Sequence, residues 1–209
     1  MRGRRWAGLF EKAIVSKTKF IEYAGRKFWA YDVALHVFLK HLIDAAEASE
    51  QAHTAWLSSA ISDWRVACVP DLPLVIDTGW SPAQQQTFLT LAEEACTRLA
   101  ERESIPAEEV VSWPILDDIR IFTRGAMEVY TAPIVELGRA IIALVRGELP
   151  EAPEGQIWLY GAPGGRLTIG WEGSKAVKSA NSLPSDDNKN RNIFSLLSTV
   201  RAFFRRLRR

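Results

Sequence analysis

The chain is poor in the residues that most often carry chemistry. Two cysteines in 209 residues, Cys68 and Cys96, exclude the disulfide framework of a small secreted scaffold. Both fall in apolar helical contexts, where small buried thiols ordinarily sit, and neither has a basic setting that would lower its pKa. A reducing cytoplasm is the simplest home for such a chain. The three histidines, His36, His41 and His53, occur without paired cysteines and without HExxH. His36 and His41 are five apart on one predicted helix, a spacing that does not converge on a metal as three or four does. No metal site is expected.

Nucleotide and nucleophile motifs are missing too. There is no GxSxG, no GxGxxG and no GxxxxGK[ST]. Gly161-Ala162-Pro163-Gly164-Gly165 is the one Gly-rich stretch, but Arg166 follows it where a phosphate loop needs Lys and a hydroxyl. It reads as a hairpin turn, and no cofactor is implied. Long apolar runs are also lacking. Asp32, His36, Lys40, His41, Asp44 and Glu47 interrupt the most apolar helix, so it is no ordinary transmembrane span. The basic start, Met1 to Phe10, leads into no apolar run of the kind a secretory signal requires.

What is present is an ordinary globular composition with an uneven charge layout. The net charge is +1. Residues 1–27 hold eight basic against two acidic side chains, and residues 186–209 hold seven against two. The remainder, 28–185, therefore carries −10. An acidic body lies between two basic ends, a layout that bears on association rather than on fold.

Periodicity predicts the elements. A stripe of Trp6, Leu9, Phe10, Ala13 and Ile14 marks a helix over 4–16. Aromatic and β-branched residues around Gly25 predict a hairpin of 20–23 and 27–31. Helices follow at 32–48 and 50–66, the second with Ala52, Ala55, Trp56, Ala60, Ile61 and Trp64 inward. A short strand at 72–78 precedes Ser81-Pro82-Ala83-Gln84, a capping box with Pro at the first helical position, which opens a helix to about 102. Strands at 115–122 and 127–131 flank Thr123-Arg124-Gly125-Ala126; a helix covers 133–146, and a second hairpin pairs 156–160 with 166–171. The polar stretch 174–192 reads as a linker, and 193–209 as a basic amphipathic helix. The expected architecture is thus α+β: a single domain over 1–173 with a mostly antiparallel sheet packed by helices, then linker, then helix.

The order of hairpin, Pro-started helix and Trp-containing hairpin in the second half resembles small proteins of bacterial conflict systems. The acidic body and the absence of a catalytic constellation lead to the expectation of a non-enzymatic cytoplasmic interaction protein, in its most concrete form an immunity or accessory protein that occludes a basic partner. The candidate contact residues are Trp80 and Trp113, which adjoin prolines and turn signals, the acidic Asp117, Asp118 and Glu128, and the basic aromatic end Phe203, Phe204, Arg205, Arg206, Arg208 and Arg209. The basic ends offer an alternative: nucleic acid, an anionic membrane surface, or a second copy of the chain. A further alternative is an enzyme in which Asp117 or Asp118 works with Glu128 across a hairpin as an acid and base.

Overall fold

The computed structural model describes residues 18–69, 72–116 and 119–170. The predicted helices at 4–16 and 193–209, the linker, Asp117 and Asp118 lie outside them.

The first hairpin forms where the aromatic pattern places it. Strand β1 (Thr18–Tyr23) pairs antiparallel with β2 (Arg26–Tyr31). Their two-residue turn has Ala24 at φ 50° and Gly25 at φ 77°. Positive φ at both positions suits the twist of the strands they join. Tyr31 passes directly into α1 (Asp32–Ala48), which is buried along most of its length and is the central helix of the domain.

Helix α2 (Ala55–Ala67) begins later than its apolar pattern suggests. Residues 49–54 are instead held in turns. The Ser49 amide and hydroxyl both donate to the Ala46 carbonyl, and the Thr54 amide and hydroxyl both donate to that of Gln51. Short hydroxyl side chains of this kind compete with helical hydrogen bonding. Ala52 and His53 therefore fall outside the helix. After β3 (Leu74–Val75), helix α3 (Pro82–Ala100) starts on the predicted capping box. The Gln84 amide donates to Ser81 Oγ at 3.3 Å, and the Ser81 amide donates to Gln84 Oε1 at 2.8 Å.

The next stretch differs from expectation. It contains β4 (Ser104–Pro106), α4 (Ala107–Ser112), β5 (Pro114–Leu116), β6 (Ile119–Arg120) and β7 (Glu128–Tyr130). The turn at 124–125 is present, with Arg124 at φ 58° and Gly125 at φ 81°, but the segments flanking it do not pair with each other. Strand β7 pairs with β4, and β5 with β6. The register sets Glu128 opposite Pro106, so the hairpin that was to bring Glu128 across from the Asp117 region does not form. Helix α5 (Thr131–Arg146) starts two residues before Pro133 and ends at Gly147, whose φ of 76° is the left-handed stop that glycine favours. The last hairpin is β8 (Gln156–Tyr160) with β9 (Leu167–Gly170).

The fold class is α+β, with a mostly antiparallel main sheet that is mixed rather than purely antiparallel. Its order is β3-β1-β2-β8-β9, with β1–β3 and β2–β8 parallel. Parallel neighbours need a crossover, and helices supply it between both pairs. Sequence patterning shows adjacent hairpins but not pairings between segments this remote.

One sheet face carries Ile21, Phe28, Ala30, Leu74 and Tyr160, all buried in the same core as the inward residues of α1, α3 and α5. Two polar devices lock this face. The buried Lys19 ammonium donates to the carbonyls of Ala67 and Val69, both at 2.6 Å, at the C-terminal end of α2 where cations are favoured. Arg26 donates to the Gly147 carbonyl at 2.8 Å and to that of Leu149, tying the first hairpin to the end of α5. Among the described residues no helix is long and apolar enough to cross a membrane.

Candidate functional cleft

The domain carries a cleft of about 500 Å³ where four segments meet. Tyr31 and the first turn of α1 form one wall, the 123–130 segment another; the start of α5 and the turn after β8 close it. Each wall follows from a local constraint. On the first, Asp32 Oδ1 accepts from the Val33 amide at 2.8 Å. The Arg124 guanidinium then reaches back from the turn, donating from Nε to Asp32 Oδ1 at 3.2 Å and from Nη2 to Oδ2. This ion pair is largely shielded from water, with side-chain exposures of 20% and 11%, so it is more than a surface contact. It pins the 123–130 segment over the start of α1. At the far end Gly161 sits at φ 80°, and a Cβ there would lie 2.6 Å from that of Ala34. Only glycine permits both the backbone conformation and this approach.

The lining is mainly apolar, with Val33, Ala34, Ile134 and Pro163 at its walls. The polar groups are few: the hydroxyls of Tyr31, Thr123 and Tyr130, and the carboxylate of Glu128. A mainly apolar hollow with a few placed polar groups is the usual form of a binding site. Its mouth is more apolar than an ordinary surface. Met127 is 85% exposed and Tyr130 55%. Burial raises the Tyr31 phenol above its ordinary pKa, the neighbouring Asp32 carboxylate adds to this, and Arg124 opposes it. Tyr31 is therefore a neutral donor at neutral pH.

One carboxylate lines the cleft. Glu128 is exposed and accepts from the Ser104 hydroxyl at 3.1 Å. Glu101, Glu103 and Glu108, from the segments that lead into and out of β4, are exposed as well. Two cations nearby are already engaged: Arg124 by Asp32, and Arg102 by both carboxylate oxygens of Glu109 at 2.6 and 2.7 Å.

The sequence-predicted residues divide. Glu128 lies on the cleft. Trp80 does not: it is half-buried, edge-on to Trp56 at 5.9 Å and against Phe88 at 5.3 Å, a structural part of the α2–α3 packing. Trp113 is half-buried as well, in contact with His41 at 5.6 Å and beneath the Lys40 ammonium at 5.7 Å. Asp117, Asp118, Phe203, Phe204 and the four terminal arginines lie outside the described residues. Tyr31, Met127 and Tyr130 carry no sequence signal of their own. The one hint is the tight turn at Arg124-Gly125, which forces the residues just after it to the surface.

The histidines and cysteines lie away from the cleft lining. His36 is buried, with Nε2 unpartnered among the described residues, and its pKa is lowered to about 3 by burial and then by Lys19 and Arg124. Burial lowers His41 to about 4 against the opposing pull of Asp44. Cys68 and Cys96 are free and buried, and burial pushes their pKa values up to about 12 and about 11. Both thiols are therefore protonated and poor nucleophiles. No cluster of three or more metal-ligating side chains occurs among the described residues. In comparisons with known proteins the chain matches no family model, no curated protein and no solved structure.

Proposed function

We propose that this is a non-enzymatic interaction protein whose cleft receives a segment of a partner protein that is both basic and apolar. The observation that carries the reading is the mouth itself. Met127 and Tyr130 stand exposed beside the Glu128 carboxylate, over an apolar hollow of about 500 Å³. An apolar anchor entering the hollow and a Lys or Arg beside it would satisfy both features at once. The Glu128 carboxylate at the opening favours a basic partner over an acidic one. An immunity or accessory protein that occludes a basic effector is the most concrete form of this reading.

The test is affinity capture from the source cell with the full chain and with the double variant Glu128→Lys, Tyr130→Ala, followed by calorimetry on the purified partner. The expected result is one basic protein retained by the parent and lost by the variant, with affinity falling as salt rises. Equal capture by both forms would overturn the proposal, as would recovery of nucleic acid alone.

A further inference from the structure

The cleft runs along a strand edge. All of residues 126–130 line it, among them Glu128, Val129 and Tyr130 of β7. Neighbouring strand residues point to opposite faces, so a hollow touched by all three follows the edge of the strand rather than either face. None of Ser104, Ile105 and Pro106 of β4 lines it, so the edge is the one away from β4. The hydrogen-bond pattern leaves this edge open. The Thr131 amide donates to the Glu103 carbonyl at 3.0 Å and the Ala107 amide to the Met127 carbonyl at 2.9 Å, with Val129 opposite Ile105 between them. Residues 127, 129 and 131 therefore turn their main chain toward β4, while Glu128 and Tyr130 turn theirs away. As the N-cap of α5, Tyr130 gives its carbonyl to the helix. The Glu128 amide and carbonyl and the Tyr130 amide have no main-chain partner among the described residues. The facing wall carries little bulk, with Ala34, Gly161 and Pro163.

We propose that the occupant is an extended segment of a partner protein that adds to β7 as a third strand of the β4–β7 sheet. This rests on the cleft being a partner site, and it states how that partner is held. Three features select an extended chain with a basic side chain. Its amides and carbonyls are free to pair with those of Glu128 and Tyr130, whereas a helix has already engaged its own. Its residue opposite Glu128 falls on the same face as that carboxylate, where a Lys or Arg makes a favourable cross-strand pair. The residues on either side fall on the face of the buried Val129, where apolar side chains are stabilised. The segment thus reads apolar–basic–apolar. At a rise of about 3.3 Å per residue the edge over 126–130 spans roughly 16 Å, enough for a short strand.

The test is selection of a display library of random dodecapeptides on the full chain, with the enriched peptides synthesised and their affinities measured by fluorescence anisotropy. The expected peptides carry a Lys or Arg flanked by apolar residues, and Glu128→Lys should weaken them by about tenfold or more. Methylating the peptide amides one at a time should cost about tenfold at alternate positions and nothing between, because only alternate amides face β7. Tyr130→Pro suits the local backbone, whose φ is −68°, and deletes the edge amide. It should bind about tenfold more weakly than Tyr130→Ala. A peptide sensitive to Glu128→Lys but without the alternation in the methylation scan would overturn strand addition and leave the partner site standing. Equal affinity for the Pro and Ala variants would do the same. Peptides indifferent to Glu128→Lys, or no enrichment, would overturn both.

Discussion

Acidification should destabilise this domain through a buried histidine, His36, and a half-buried one, His41. His36 and His41 titrate at about 3 and about 4 in the folded chain, below the ordinary 6.5, because burial removes the imidazolium from water. The folded-state values are the lower ones. Between about 6.5 and those values the unfolded chain therefore binds protons that the folded chain refuses, and stability falls as pH falls. From pH 7.5 to pH 5 the linkage is about 2 kcal/mol for each histidine, about 4 kcal/mol together. That is a large share of the roughly 5–15 kcal/mol that holds a domain folded. With a urea m value of about 2 kcal/mol/M, the midpoint should drop by about 2 M. The assay is urea unfolding followed by tryptophan fluorescence at the two pH values. The control is the double variant His36→Leu, His41→Leu, in which the drop should largely vanish. At pH 7.5 the variant should retain stability, because replacing His36 removes the unpartnered Nε2. A fall of less than about 1 kcal/mol in the parent protein, or an equal fall in the variant, would refute the reasoning.

Three further outcomes are expected. Gly138→Ala sets a Cβ about 2.5 Å from Cys96 Sγ and 2.6 Å from Phe38 Cε2, where α5 crosses α3 and α1. Such overpacking should cost about 1–3 kcal/mol, read as a lowered urea midpoint. Ser81→Ala removes one arm of the capping box and should cost about 1 kcal/mol in the same assay. Lys19→Met strips the Ala67 and Val69 carbonyls of a charged donor, at an expected cost of about 3 kcal/mol. It also removes one of the cations that lower His36, so an NMR titration should find that imidazole less depressed.

The parts of the fold legible in the sequence are those built by neighbours along the chain. The Ala24-Gly25 hairpin, the whole of α1, the Ser81–Gln84 cap and the Gly147 stop each follow from residues within one or two turns of each other. Misreadings occur where contact is remote. Met127 to Thr131 has a strand pattern, but nothing local tells that its partner is Ser104–Pro106 rather than the segment just before it. The parallel pairs β1–β3 and β2–β8 are invisible for the same reason. Trp80, beside a turn and a proline, is half-buried against Trp56 and Phe88, contacts that no local pattern shows.

The cleft is a tertiary product almost entirely. Of its key groups only Glu128 stood out in the sequence, as one carboxylate among many. Tyr31, Met127 and Tyr130 become a site because the Asp32–Arg124 ion pair folds one segment over another, and because Gly161 admits the β8 turn against Ala34. Composition and periodicity by themselves determined the α+β class, the helix limits set by caps and stops, and the segregation of charge, since these depend on short-range sterics, hydrogen bonding and simple counting. Strand order, the mixed sheet and the cleft were decided only when remote segments met. Their free energy comes from burial and pairing between residues whose proximity no local pattern encodes.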